Sequence, residues 1–326
     1  MLTPNLLITN YCNQNCSFCF ARKEMNKLSL KKNMSLKTFS VILKKLKNKK
    51  IKLLGGEPTL HPQFNKFVNL SIKQSPEVEI FTNGVFNKAK FTFLKNRLDK
   101  VKFIFNISTP GFQQNVIIRR HVLANIKSIS VLTSVSLSIT VDPYTNIRSI
   151  IKKLPIDIIL RLSSVRIGIS NPMLGSNYYE FSQFKKIGSL IYFLVKQFKK
   201  ISPSIEINQN CGLVRCMFSQ AEYNYLKKIN FLVDYWGCFG KTSSMDISTD
   251  GTAFNCFPLS SIIRKKICGK ELVSFNFLFI KNRLRLRKKF INKRCLKCSF
   301  NGPFPPQCSG PCLAFLINQQ NINTKH

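Results

Sequence analysis

The chain has 326 residues, of which 44% are hydrophobic, so it is long and apolar enough for one large packed domain with a smaller one, and its composition excludes a disordered chain. Lys and Arg number 51 against 14 Asp and Glu, which gives a net charge of +37. Such a charge would attract polyanions such as nucleic acid, acidic peptides or anionic lipid. The abundance of Lys, Asn, Ile and Phe also fits a compositional bias as the origin of the charge. The longest apolar stretches, such as residues 191–195, are too short to span a bilayer.

The first predicted element is a short apolar strand over residues 6–9, which leads to Cys12, Cys16 and Cys19 in the spacing C-x3-C-x2-C. Three thiolates cannot complete a tetrahedral zinc site, and a zinc alternative needs a fourth ligand such as His61. Three thiolates do bind three irons of a [4Fe–4S] cube and leave the fourth iron open to a small molecule. The N-terminus lacks the features of a signal peptide, so the cysteines indicate a reducing cytoplasm and not a disulfide framework.

The next elements alternate between helix and strand. Ser35 is a predicted N-cap, and the strand over residues 51–54 ends at Gly55-Gly56-Glu57-Pro58. Adjacent glycines let backbone approach a ligand closely, and Glu57 offers a carboxylate to a ligand ammonium. A helix over 61–75 and a strand over 77–82 follow, and that strand ends at the turn signal Asn83-Gly84.

Three further segments rich in β-branched or aromatic residues, 101–108, 133–141 and 165–170, are predicted strands separated by helices. Alternation of strand and helix about six times predicts an α/β fold, with a parallel sheet and helices outside it. The polar motifs fall at carboxyl ends of strands, where barrel active sites form. A long amphipathic helix is predicted over 178–200, with Ser202-Pro203 marking its end.

Three motifs, taken together and in order, resemble those of radical S-adenosylmethionine (SAM) enzymes. They are the cysteine triad, with Phe18 before its third cysteine, the Gly-Gly-Glu-Pro segment and Asn83-Gly84. The resemblance implies a partial (β/α)6 TIM-like barrel over residues 1–205. It also implies that a [4Fe–4S] cluster reductively cleaves SAM to a 5′-deoxyadenosyl radical, which removes hydrogen from a substrate.

The same resemblance implies a set of SAM-binding residues. Gly55, Gly56 and Glu57 would hold the methionyl ammonium, and polar residues near strand ends would hold the carboxylate and ribose, with Ser170 as a further adenine-side candidate. The predicted cofactor-binding residues are Phe18, Gly55, Gly56, Glu57, Asn83, Ser108 and Thr140.

The C-terminal third contains nine more cysteines, and their spacing resembles that of the SPASM domain, which carries auxiliary [4Fe–4S] clusters. Cys238, Gly251 and Cys256 give C-x12-G-x4-C, and Asp250-Gly251 predicts a hairpin between 245–248 and 252–255. The last four cysteines give C-x2-C-x9-C-x3-C, a longer middle gap than the family has, and the family's final cysteine is absent from the tail. We therefore predict a bridging segment over 206–236 and a small cysteine-rich α+β domain over 237–326.

The SPASM resemblance implies two ligand sets. One joins Cys238, Cys256 and Cys312 with Cys216 or Cys211, and the other joins Cys295, Cys298 and Cys308 with Cys211, Cys216 or Cys268. Cys268 lies in no paired motif, so it is left out of the predicted ligands. One alternative is a single auxiliary cluster. Another is a zinc knuckle formed by the last four cysteines, and a zinc knuckle together with the positive charge would indicate nucleic-acid binding. The predicted metal ligands are Cys12, Cys16, Cys19, Cys211, Cys216, Cys238, Cys256, Cys295, Cys298, Cys308 and Cys312.

Auxiliary clusters in this family usually serve peptide or protein modification, so the sequence predicts a peptide-modifying enzyme with an electron donor of flavodoxin or ferredoxin type. The chain starts at its first barrel strand, so any leader-binding domain is expected to be a separate protein. The alternatives are biosynthesis of a small molecule or cofactor, and a non-enzymatic basic zinc or iron–sulfur protein that binds nucleic acid. Asp142, Asp234 and Asp246 are possible proton acceptors, although surface or turn roles are expected for each, and the basic run 281–289 is a possible guide for an acidic substrate.

Overall fold

The fold is given by a computed structural model that describes residues 3–19, 21, 25, 31–46, 49–87, 98–143, 145–171, 178–210, 212–231, 245–262, 264–266, 272–301, 308 and 310–317. The predictions for Cys211, Asp234, Cys238 and Cys268 lie outside the described residues.

A parallel sheet forms the centre of the molecule. All six strands predicted from the sequence are present, and each pairs in parallel with the next along the chain. A seventh short strand, which the sequence analysis missed because only its isoleucine is buried, extends the sheet into the predicted bridging segment. The parallel strands are β1 (Asn5–Thr9), β2 (Ile51–Gly55), β3 (Val78–Thr82), β4 (Val101–Asn106), β5 (Val135–Val141), β6 (Ser164–Ile169) and β7 (Glu206–Gln209).

Helices connect these strands. Crossovers between sequential parallel strands have one hand, so their helices cover one face of the sheet and the other face encloses an interior, as in a partial barrel. This confirms the predicted mixed α/β fold with a parallel sheet. The helices are α1 (Leu36–Lys45), α2 (Phe64–Gln74), α3 (Pro110–Gln114), α4 (Val116–Ser130), α5 (Ile147–Lys153), α6 (Ile156–Ile159), α7 (Phe184–Ile201), α8 (Gln220–Lys228), α9 (Leu272–Phe290) and α10 (Lys293–Leu296).

Local sequence signals account for most helix boundaries. Ser35 caps α1, since its hydroxyl accepts the backbone N–H of Thr38 at 3.1 Å. The helix predicted from residue 178 begins only at Phe184, because Phe181–Gln183 form a separate 3-10 turn. Its predicted apolar face is otherwise present, with Ile187 and Ile191 fully buried in the core.

The predicted C-terminal hairpin is present and joins the barrel sheet. It consists of β8 (Asp246–Ile247) and β9 (Thr252–Phe254), with Gly251 at φ 84° in the turn, and β10 (Arg264–Lys266) pairs with β9. The sequence did not predict that β8 would pair in parallel with β1. The C-terminal segment therefore contributes residues to the wall of the barrel, while the proposed domain boundaries stay predictions.

The basic run 281–289 lies on α9 and is divided between interior and surface. Arg283 is 1% exposed and Arg287 is 6% exposed, whereas Lys288 and Lys289 are exposed. The run therefore does not form one continuous basic face for an acidic substrate. Among the helices described, none combines the length and the apolar character needed to cross a membrane.

Candidate active site

The cysteine loop, residues 12–19, follows the carboxyl end of β1 and packs against the double glycine at the end of β2. The backbone N–H of Gly56 donates to the Thr9 carbonyl at 2.9 Å, and that of Glu57 donates to the Tyr11 carbonyl at 2.7 Å. A Cβ on Gly55 would overlap the Thr9 carbonyl, and a Cβ on Gly56 would overlap the Tyr11 carbonyl. The glycines are therefore needed to bring the two strand ends together at the loop.

The Glu57 carboxylate is buried and connects β2 to the end of β3. It accepts hydrogen bonds from the Thr59 backbone at 3.2 Å, the Thr59 hydroxyl at 2.7 Å, the Thr82 hydroxyl at 2.9 Å and the Asn83 backbone at 2.7 Å. Burial raises the pKa of Glu57, and these donors oppose the shift. Glu57 is 0% exposed, and its hydrogen bonds hold the end of β2 against the end of β3. Its contact with a ligand ammonium stays a prediction.

Asn83 and Gln14 hold the cysteine loop in place from two sides. The Asn83 side-chain amide donates to the Asn13 side-chain oxygen at 2.7 Å and lies 3.9 Å from the Cys12 sulfur. On the other side, the Gln14 side-chain oxygen accepts the backbone N–H of Gly111 at 3.0 Å. The loop is thus held against the end of β3 and the start of α3.

The barrel interior contains a cavity of about 860 Å³, which the cysteine loop closes at one end. Ser108 and Glu57 do not line this cavity. Instead, the Ser108 hydroxyl accepts the backbone N–H of Thr140 at 2.8 Å and supports the strand that carries it. The predicted site residues that do line the cavity are Cys12, Cys16, Phe18, Cys19, Gly55, Gly56, Asn83, Thr140 and Cys256.

The chemistry of this donor set fits an iron–sulfur cube. The three thiols line one end of the same cavity, and burial raises the pKa of Cys12. Within the described part of the chain, no three His, Cys, Asp or Glu side chains are grouped to hold one metal ion. A cube binds each thiolate at a different iron, so its ligands surround a space and do not meet at one point.

His61 does not join the cysteine triad. Its Nε2 lies 3.1 Å from the Met34 carbonyl, and its Nδ1 accepts the backbone N–H of Gln63 at 3.0 Å. Both ring nitrogens therefore contact backbone in a buried position against α1 and α2. The zinc alternative that used His61 as a fourth ligand is not assembled in this fold.

The cavity also contains charged residues that the sequence analysis missed or placed elsewhere. Lys52 and Arg166 line it, and each lies within an apolar strand, where a single charge is a signal that the residue faces a polar interior. Asp246, for which a turn or surface role was expected, lines the cavity as well, and burial raises its pKa to about 7. Asp142 does have a turn role, since its carboxylate accepts the Thr145 hydroxyl at 2.9 Å.

A second cavity of about 390 Å³ lies in the C-terminal part and is lined by four thiols. Burial and the neighbouring thiols raise the pKa of Cys216 to about 11. Lys185 lines the same cavity, and the backbone N–H of Gly310 donates to the sulfur of Cys308 at 3.4 Å. The four thiols belong to Cys216, Cys295, Cys298 and Cys308.

Arg215 forms part of the wall of this second cavity. Its guanidinium carbon lies 4.1 Å from the ring centroid of Tyr223 and 3.9 Å from that of Phe300. The guanidinium is therefore held between two aromatic faces next to the thiols. The other two described cysteines of this region lie apart: Cys256 lines the barrel cavity, and Cys312 packs against the main core.

Comparison with known proteins agrees with this geometry. Residues 6–162 match the family described as the Radical SAM superfamily. The chain is 34% identical over 84 residues, 24% of its length, to an S-adenosylmethionine-dependent nucleotide dehydratase from Selenomonas ruminantium. The match spans only 29% of that relative. Residues 6–162 therefore form a radical SAM domain, a class of enzyme domain that uses SAM and a [4Fe–4S] cluster.

The fold of the whole chain is similar to that of SuiB from Streptococcus suis. SuiB bound to S-adenosylmethionine superposes with a TM-score of 0.70 at 16% identity, over 97% of this chain and 74% of SuiB. SuiB bound to its precursor peptide SuiA superposes with a TM-score of 0.68, over 97% of this chain and 72% of SuiB. At this identity the likeness shows the fold alone, and it extends through the cysteine-rich C-terminal part.

Proposed function

We propose that this radical SAM enzyme modifies a peptide or a protein side chain. The observation that carries the proposal is the likeness to SuiB over 97% of the chain, since that protein has been solved with a precursor peptide bound. The barrel cavity, at about 860 Å³, offers room for SAM and part of a peptide together.

The chain's own residues have separate tasks in this proposal. Cys12, Cys16 and Cys19 would hold the cluster, which together with SAM supplies a 5′-deoxyadenosyl radical when both are bound. Gly55 and Gly56 let the end of β2 pack directly against the start of the cysteine loop, and Asn83 fixes the loop from the end of β3.

The second thiol cavity is proposed to hold an auxiliary [4Fe–4S] cluster. Four thiols surround a common space, and Lys185 and Arg215 place positive charge beside it, which stabilises an anionic cluster. Cys216 would supply the fourth ligand, in place of the final cysteine that the family pattern has. The other proposed set then consists of Cys238, Cys256 and Cys312 with Cys211.

An electron donor of flavodoxin or ferredoxin type and a cytoplasmic location complete the proposal. Both follow from the chemistry, because a reducing cluster needs a low-potential donor and free thiols need a reducing compartment.

A nucleotide is the second candidate substrate. The curated relative from Selenomonas ruminantium is a nucleotide dehydratase, and the matching segment is 34% identical. The cavity also contains Lys32, Lys52 and Arg166, whose charges suit phosphates.

Two parallel incubations separate the candidates. In both, the anaerobically reconstituted enzyme is supplied with SAM and dithionite. One incubation contains nucleoside triphosphates, and the other contains small peptides that were co-expressed with the enzyme. Mass spectrometry then detects any change in either substrate. A mass change in a peptide, together with 5′-deoxyadenosine, is the expected result. Conversion of a nucleotide with unmodified peptides would contradict the peptide proposal and support the alternative.

A further inference from the structure

Asp246, Asn5 and Lys52 lie side by side on three neighbouring strands at the base of the barrel cavity. Asn5 on β1 is the register partner of both Asp246 on β8 and Lys52 on β2. Register partners in a parallel pair point to the same face of the sheet, and all three residues line the cavity. The C-terminal hairpin thus delivers a carboxyl group into the barrel interior.

This base lies on the far side of the cavity from the cysteine loop. Asn5 and Thr9 are four residues apart on β1, which corresponds to about 13 Å along a strand. A molecule that reacts near the loop can therefore extend a second group down to the base. The base is therefore separate from the carboxyl end of β1, where the cysteine loop begins.

The charged groups near the base come from four strands. Lys52 lies 3.8 Å from a Glu79 carboxylate oxygen, but Glu79 also accepts Lys50 at 3.2 Å and does not line the cavity. Arg166 reaches across from β6, and its guanidinium carbon lies 5.1 Å from the ring centroid of Phe81. Among the described residues that line the whole cavity, the cations are Lys32, Lys52 and Arg166 and the one acid is Asp246, but Lys32 lies beside Asn10 at the cysteine-loop end.

Asp246 itself is buried and hydrogen-bonded. The Asn5 side-chain amide donates to one of its carboxylate oxygens at 2.6 Å, and the residue is 7% exposed. Its charged neighbour is Lys52 from β2, whose partner is Glu79 from β3, and the uncharged Asn5 and Phe254 flank it on β1 and β9. Arg166 from β6 acts on Lys52, so Lys52 lies between the Asp246 carboxyl and the Arg166 guanidinium.

We propose that Asp246, Lys52 and Arg166 form a subsite for an oxyanion of the substrate at the base of the barrel cavity, in which the neutral Asp246 carboxyl donates a hydrogen bond to the anion. The anion is a carboxylate or a phosphate. The subsite rests on the proposed function only in that the barrel cavity is the substrate site.

The charge state of Asp246 then controls binding. Burial raises its pKa to about 7, so the carboxyl is largely neutral at pH 6 and largely ionised at pH 8. An ionised Asp246 repels the anion, and an anion that binds draws a proton onto Asp246. Binding is therefore linked to proton uptake, and the affinity falls about ten-fold between pH 6 and pH 8.

Calorimetry on the reconstituted holoenzyme, saturated with SAM, tests the subsite with dimethyl phosphate and glutarate as probes, both of which stay anionic from pH 6 to pH 8. One probe is expected to bind about ten-fold more tightly at pH 6 than at pH 8. The probe that binds distinguishes a phosphate from a carboxylate. Asp246→Asn should remove the pH dependence and bind at pH 8 as tightly as the wild type does at pH 6. Lys52→Met should weaken binding at both values, whereas the exposed Lys66→Met is a charge-matched control that leaves it unchanged.

Three results would overturn the subsite: no binding of either probe at millimolar concentration and pH 6, the same pH dependence in Asp246→Asn as in the wild type, or displacement of SAM by the probes. SAM cleavage is measured separately on the same preparations. Normal SAM cleavage without probe binding would remove the subsite alone, whereas probe binding without SAM cleavage would remove the proposed reaction and leave the subsite.

Discussion

The Glu57 carboxylate accepts the backbone N–H of Asn83 at 2.7 Å, across the ends of β2 and β3. Because the Asn83 side chain also donates to Asn13, this hydrogen bond connects the buried acid to the cysteine loop. The Gly-Gly-Glu-Pro segment thus positions the loop mechanically, through one strand end, in addition to lining the cavity with its glycines.

Replacing Glu57 by Gln should weaken this connection. The amide NH₂ of Gln cannot accept a hydrogen bond, so at least one of the four donors that now face the carboxylate would lose its acceptor. A buried donor without an acceptor costs about 1–3 kcal/mol. Chemical denaturation of the apoprotein should show a loss of that size in the free energy of unfolding, and reconstitution should give less iron. Glu206→Gln at an exposed position is the control. Equal stability of Glu57→Gln and the control would show that the buried hydrogen bonds do not hold the loop.

Gly56→Ala should disrupt the cysteine loop. The added Cβ would overlap the Tyr11 carbonyl and lie 2.8 Å from the Cys12 Cβ, so the loop must move. Iron analysis after reconstitution should show a loss of about four irons per polypeptide. Gly251→Ala is the matched control, since its φ of 84° strains alanine but its new Cβ meets only ordinary contacts. Full iron content in Gly56→Ala would contradict the packing argument.

Cys216→Ser should empty the second thiol cavity. In a background where Cys12, Cys16 and Cys19 are all alanine, only auxiliary iron remains to be counted. The further change at Cys216 should remove about four irons and one cluster signal in electron paramagnetic resonance of the reduced protein. Cys268→Ser, at a cysteine outside the proposed ligand sets, should change neither. Retention of iron in Cys216→Ser, or tightly bound zinc in its parent, would refute the ligand assignment.

Asp246→Asn should stabilise the protein more at high pH than at low pH. Burial raises the pKa of the Asp246 carboxyl in the folded protein to about 7, from an ordinary value of 3.8. Above pH 3.8 the unfolded chain therefore loses this proton more readily than the folded protein does, and the wild type becomes less stable as the pH rises. Between pH 6 and pH 8 this penalty grows by about 1 kcal/mol. The difference in Tm between variant and wild type should therefore increase over that range. A constant difference would mean that Asp246 is ionised throughout.

The sequence predicted local features well. Six strands and the N-cap at Ser35 follow from apolar patterning and capping chemistry, and the order of the motifs along the chain predicted which strand ends carry them. These features depend on neighbours in the chain, which the sequence displays directly.

Features that depend on distant pairing were harder to predict. The contact between Asn5 and Asp246 joins residues 241 positions apart, so nothing near Asp246 indicated that it would face the barrel interior. The donors around Glu57 come from two segments, and burial of its carboxylate was not evident from the motif. From the sequence, Cys216 was one of three candidates for the fourth ligand beside Cys295, Cys298 and Cys308. In the fold, Cys216 lines the same cavity as Cys295.

Cleavage of SAM by the anaerobically reconstituted enzyme with dithionite tests the central claim most directly. The wild type should form 5′-deoxyadenosine and methionine, and Cys16→Ala, which removes one ligand of the triad, should form neither. Persistence of cleavage in Cys16→Ala would contradict the assignment of the triad. Tightly bound zinc in the wild type with no 5′-deoxyadenosine would contradict the enzymatic account as a whole.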